Sequence, residues 1–87
     1  MEVNKIEIIK NHCYTKLVYL RINKKLGIAF SESESEVLIK KALKETALEH
    51  YKKKGKNFYI TNKKYNIKIT INANTFRVIT VDKITKE

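Results

Sequence analysis

Proline and tryptophan are absent from this chain, and glycine occurs only twice, at Gly27 and Gly55. With so few residues that break regular structure, each glycine is expected to mark an element boundary. No low-complexity linker or internal repeat divides the chain. The one cysteine, Cys13, excludes an intramolecular disulfide, and with two histidines it offers no zinc-type spacing. No hydrophobic run reaches transmembrane length, and the opening MEVNKIEIIKN lacks the apolar stretch of a signal peptide. The reducing cytoplasm is therefore the expected location, with no membrane partner. Acidic residues are scarce too, nine against nineteen basic ones, for a net charge of +10.

At 87 residues the chain has room for one small domain. Such a domain buries roughly 60–65% of its unfolded surface, so its stability is modest. Hydrophobic content of 43% with clear periodicity excludes disorder. The charge is unevenly spread: +4 over residues 1–30, −2 over 31–49 and +8 over 50–87. Positive charge concentrated on one element is the footprint of a polyanion-binding surface. An AT-rich coding bias toward Lys, Ile and Asn accounts for the same composition, since only Arg21 and Arg77 among the bases are arginines.

That element is the C-terminal stretch KKKGKNFYITNKKYNIKITINANTFRVITVD, Lys52 to Asp82. Three runs read as strands, at about 57–61, 66–72 and 75–82. In the middle run Ile67, Ile69 and Ile71 alternate with Lys68, Thr70 and Asn72, the period of a half-buried strand. The polar connections between the runs suit hairpin turns, because Asn tolerates positive φ. With a two-residue last loop, Asn72 opposes Thr75, Thr70 opposes Arg77 and Ile69 opposes Val78. Phe58, Ile60, Ile67, Ile69, Ile71, Phe76 and Val78 then face inward. Tyr59, Lys68, Thr70, Asn72, Thr75 and Arg77 share the open face, with Ile79 and Val81 beside them. A bulge would reverse the faces of the last strand.

Upstream, helices are predicted at about 3–26 and 34–53. Ile6, Ile9, Cys13, Leu17 and Leu20 recur at spacings of three and four, with Val18, Ile22 and Leu26 as a second row. The weak stretch Asn11 to Thr15 predicts a kink or two helices, Thr15 capping the second, and Gly27 suits the position past its end. Ser33 and Glu36 form a capping box, with Leu38, Ile39, Ala42 and Leu43 facing the sheet. Thr46 and Glu49 repeat that spacing, so a short further helix is expected to start at Ala47. The predicted fold class is α+β, with N-terminal helices packed on one face of a C-terminal three-stranded antiparallel β-meander.

No Walker-type phosphate loop, dinucleotide glycine fingerprint, HExxH or GxSxG motif occurs. Neither a metal nor another cofactor is expected. Cys13 is expected as a buried small hydrophobe, and His12 and His50 as surface or helix-end histidines. Cleaving RNA without a metal needs cations for the phosphate, donors for developing charge and a group that activates the 2′-hydroxyl. The catalytic candidates are Arg21, Lys56, Tyr59, Thr70, Asn72, Thr75 and Arg77. The nucleic-acid-binding candidates are Lys52, Lys53, Lys54, Lys56, Lys68 and Arg77, with Tyr59 able to stack on a base. Three readings stay open: a metal-independent ribonuclease, a non-catalytic module binding nucleic acid or an acidic protein, and a homodimer formed through a strand edge or sheet face. Ordinary cross-strand pairs on a solvated face account for the same residues without any function.

Two blocks, CYTKLVYLRINKKLGI (Cys13 to Ile28) and KKGKNFYITNKKYNIKITINANTFRVITVD (Lys53 to Asp82), resemble the bacterial family of domain of unknown function 3781. The matching positions include Arg21 and Ile22, Lys54 to Asn57, and Ile69 to Asn72. The resemblance implies His-Thr-Thr at the start of the first block, where this chain has Cys13, Tyr14 and Thr15. It implies no activity. A looser likeness is to the nuclease fold of barnase, colicin D and RelE-type toxins, which implies helices before an antiparallel sheet whose open face cuts RNA.

Overall fold

A computed structural model describes residues 3–84. Helices α1 (Lys5–Asn11), α2 (Lys16–Leu26) and α3 (Glu32–Glu45) and a 3₁₀ turn (Leu48–His50) come first. Strands β1 (Tyr51–Lys54), β2 (Asn57–Asn62), β3 (Ile67–Asn72) and β4 (Val78–Lys83) follow, paired antiparallel in the order β1-β2-β3-β4. The α+β class is the one predicted, but the sheet has four strands rather than three.

The additional strand occupies residues assigned above to the end of a helix. α3 stops at Glu45, and Thr46 turns extended while its hydroxyl donates to Ala42 O and accepts from Asn62 Nδ2 at 2.9 Å. Gly55, at φ +62°, opens the two-residue Gly55-Lys56 loop that folds β1 onto β2. That is where a hairpin of this length wants a residue without Cβ. Only Tyr51 anchors β1 inward: it is 4% exposed and its hydroxyl donates to Leu43 O. The three lysines after it carry no apolar alternation, so nothing local distinguishes this strand from a solvated helix end.

The N-terminal helical pattern resolves into two helices. His12 leaves the helical region, and Cys13 makes a parallel bridge to Arg77: Cys13 N–H donates to Phe76 O and Val78 N–H to Cys13 O, both at 2.9 Å. The break pairs with the chain at the start of β4's outer edge, satisfying Phe76 O and Val78 N–H there. Cys13 is consequently exposed, not buried as expected. Thr15 is the N-cap residue of α2, although its side chain makes no capping bond, and Gly27 ends the helix at φ +68°. Because the break resets helical phase, the second apolar row is the buried one: Val18, Ile22 and Leu26 join Ile8 in the core. Ile6, Leu17 and Leu20 of the first row point outward, 77%, 72% and 69% exposed.

The capping box of α3 forms at Ser31 and Glu34, two residues before the pair expected. Ser-x-x-Glu occurs twice in SESESE, and Asn23 decides between them by bonding both Phe30 N–H and Phe30 O, which fixes the chain's entry. Ile39, Ala42 and Leu43 are buried beneath the sheet and Leu38 packs half-buried at its margin, as predicted.

In the sheet, Phe58, Ile60, Ile67, Ile69, Ile71 and Val78 face the helices as their alternation requires. The last hairpin differs from its predicted register. Its connection runs from Ala73 to Arg77, and a bulge shifts the pairing so that Ile71 meets Val78, Thr70 meets Thr80 and Ile69 meets Val81. Val81, expected on the open face, is therefore fully buried. Phe76 sits in the connection at φ +60°, a costly conformation for a bulky residue. It is held there by Cys13 on one side and by a stack on Phe58 on the other, ring centroids 6.4 Å apart.

Candidate polyanion-binding face

Register sets which side chains share the face turned away from the helices. Lys52, Tyr59, Thr70 and Thr80 form one row across the four strands. Lys54, Asn57 and Asn72 form the row on one side, and Thr61, Lys68 and Asp82 the row on the other. Tyr59 thus has Lys52 directly opposite and Lys54 and Lys68 on its diagonals, within reach of long side chains. These four residues line a shallow concavity of about 510 Å³. Lys68 Nζ lies 6.0 Å from the Tyr59 ring centroid, and Asn57 Nδ2 donates to the Tyr59 hydroxyl at 3.4 Å. Thr70, opposite Tyr59, is only 5% exposed and forms floor rather than surface.

The acid of this face is displaced to its far side. Asp82 pairs across the sheet with Lys68, but its carboxylate is met by Lys25 of α2 at 3.4 Å. Lys64, in the β2–β3 connection, is engaged with Glu45 at 2.8 Å, and Tyr65 donates to the same carboxylate. The Lys64 hydrogen bond, then that of Tyr65, hold the Glu45 carboxyl below the usual carboxylate range, and Glu45 in turn raises Lys64. Among the described residues Lys52, Lys54 and Lys68 make no such ion pair, so they are the cations the concavity offers a ligand.

The catalytic candidates do not gather in one place. Tyr59 lines the concavity with Thr70 beneath it, but the other five lie elsewhere. Lys56 is in the β1–β2 loop, its carbonyl accepting from Ala73 N–H at 2.7 Å. Asn72 Oδ1 caps the last connection by accepting from Asn74 and Thr75 N–H, and Thr75 Oγ1 accepts from Arg77 N–H. Thr75 and Arg77, assigned above to the open face, thus belong to that connection. Arg77 sits beside Cys13, and Arg21 donates from α2 to Ile79 O at 3.2 Å. Among the binding candidates, Lys52, Lys54 and Lys68 converge. Lys53 instead alternates to the helix side of the edge strand, where it donates to the Gly55 carbonyl.

A second polar cluster went unread in the sequence. His12 closes α1, its Nδ1 2.7 Å from Ile9 O and its Nε2 3.0 Å from the Tyr14 hydroxyl. Tyr14 stacks on Tyr19 at 5.5 Å, and Tyr19 donates to Glu36. Burial, then the nearby Glu36 charge, push the Tyr14 phenol well above its ordinary value. This chain of groups knits the helical break to α3 and makes a reluctant phenolate, not an activated one. Its only sequence signal was the aromatic pair at 14 and 19, whose spacing suggests nothing until the break is known. His50 lies in the 3₁₀ turn, 3.5 Å from Glu49. Among the described residues no three His, Cys, Asp or Glu side chains gather where they could hold a metal ion, and no helix is long and apolar enough to cross a membrane.

In comparison with known proteins, the family model described as "Protein of unknown function (DUF3781)" matches residues 6–82. No curated protein and no solved structure matches the chain, and the likeness to the barnase, colicin D and RelE-type fold finds no support there.

Proposed function

The chain belongs to the DUF3781 family, and since that membership carries no activity, we propose from the open sheet face that it is a non-catalytic module binding single-stranded nucleic acid. The observation that supports this is the concavity of three lysines around one tyrosine. Ammonium groups on both sides of an aromatic ring suit a strand whose phosphates pass over the lysines while a base stacks on the ring. A flat duplex backbone would use the lysines and leave the tyrosine idle. The ribonuclease reading is weaker on the same geometry. Activating a 2′-hydroxyl needs an acceptor for its proton, and the concavity is lined by amines and a phenol, with neither carboxylate nor imidazole.

The test is fluorescence anisotropy with a labelled single-stranded RNA across a salt series, in the presence of EDTA. Three lysines on three phosphates give a log–log salt slope of about −2, at ~0.7 per phosphate neutralised. Tyr59→Ala is expected to cost about 1–3 kcal/mol of binding, the worth of one stacked base. Absence of binding, or binding indifferent to salt, overturns the proposal. RNA cleavage that disappears in Tyr59→Phe overturns it in favour of a nuclease.

A further inference from the structure

The helical layer leaves two complementary features unfilled. The first is the outer face of α2, where Leu17 and Leu20 stand side by side at 72% and 69% exposure. Every charged residue of that helix is basic: Lys16, Arg21, Lys24 and Lys25. The second is a groove of about 400 Å³ on α3, lined by Phe30, Val37, Leu38 and Tyr65, with Glu34 toward one end and Lys41 toward the other. Val37 is 58% exposed, and Glu32, Glu34 and Glu36 make this half of α3 acidic. The two features adjoin within one molecule, since Asn23 of α2 holds the Phe30 backbone and Tyr19 of α2 donates to Glu36.

Charge decides which occupant fits. Pairing α2 with another α2 would set cations against cations with no acid of that helix between them, and pairing two open sheet faces would oppose Lys52, Lys54 and Lys68 to their like. Pairing the free edge of β1 would oppose Lys52, Lys53 and Lys54, which is how natural sheets protect such edges. Of these pairings and that of α2 with the acidic half of α3, the last brings opposite charges and exposed apolar side chains together. We infer that two copies of the chain pair through their helical layers, Leu17 and Leu20 of each entering the Phe30–Val37–Leu38 groove of the other. The contact is reciprocal, so one two-fold axis closes it. The Arg21–Lys24 end of α2 lies toward Glu34, which leaves Lys16 toward Lys41. The pair turns its two open sheet faces outward, a bivalent arrangement for a polyanion.

Sedimentation equilibrium up to millimolar protein tests this. Wild type is expected to dimerise, Leu20→Glu and Val37→Glu each to weaken the dimer by more than about tenfold, as charges placed in a contact centre do. Lys41→Glu is expected to tighten it, because α2 brings only cations. Circular dichroism checks that each variant folds. The decisive measurement mixes Leu20→Glu with Val37→Glu: a reciprocal interface regains one intact contact, so a heterodimer forms that neither variant forms alone. A wild-type monomer at all concentrations overturns the inference, whether or not the Leu17–Leu20 face then carries the protein onto anionic vesicles. So does a dimer that both substitutions leave intact. Binding of an RNA too short to bridge two sites reads the sheet face alone, so failure here is separable from failure of the proposed function.

Discussion

The open face of the sheet and the outer face of the helices are both rich in lysine, yet they were built by different rules. On β2 and β3 a period of two ties each residue to a face without reference to anything distant. Phe58 and Ile60 on one strand, and Ile67, Ile69 and Ile71 on the next, turn inward as their alternation demands. On α1 and α2 the apolar spacing of three and four holds only while the helix is continuous. The bridge at Cys13 interrupts it, and the row expected as core leaves Ile6, Leu17 and Leu20 on the surface while Ile9 packs half-buried against the core. A strand's faces are local; a helix's faces depend on an uninterrupted phase.

Truncating the two kinds of apolar residue should separate these regions most sharply. Ile69→Ala removes a fully buried side chain from the centre of the sheet and is expected to cost about 2–5 kcal/mol in urea unfolding. Leu20→Ala, apolar but exposed, should stay within ~0.5 kcal/mol when measured on monomer at low concentration. Comparable losses at both sites would show that the α2 row packs against something in the monomer and would erase the contrast.

A smaller effect is expected at the start of α3, where two Ser-x-x-Glu pairs compete. Ser31→Ala breaks the capping box that forms and should cost about 1 kcal/mol of stability. Ser33→Ala should cost little more than a surface change. The reverse order would mean that Asn23 and Phe30 do not set the helix start. Smallest of all is the acid response of the α3–loop tie. Glu45 has its carboxyl held below its unfolded value by Lys64 and Tyr65, so its stabilisation is present above the ordinary carboxylate range. It is lost as pH falls through the lowered value. Both partners are solvent-exposed, so a shallow decline that Glu45→Gln removes is expected in thermal melts across that range. A steep decline surviving in Glu45→Gln would place the acid sensitivity elsewhere.

The candidate site was legible in part. Lys52, Lys54, Tyr59 and Lys68 could be read as basic and aromatic positions near strands, but their convergence required β1, which nothing in Tyr51–Lys54 announces except the glycine after it. Arg77 and Thr75 stood on the predicted face only because the last hairpin was given a two-residue loop. The bulge at Thr70 and Ile71 and the longer connection moved them off it. Arg21 and Asn72 were similarly drawn into backbone hydrogen bonds that no spacing in the chain encodes.

By itself the order of residues determined that helices precede an antiparallel meander, that β2 and β3 bury their isoleucines, and that the positive charge gathers on the C-terminal half. Those follow from periods of two or four residues and from charge, which act between near neighbours. Where α1 ends and which apolar row reaches the core were decided only when Cys13 met residues 76–78, and which polar groups share the concavity only when β1 folded back onto β2. Backbone donors and acceptors at a sheet edge must find partners, and the segment that satisfies them can lie anywhere along the chain.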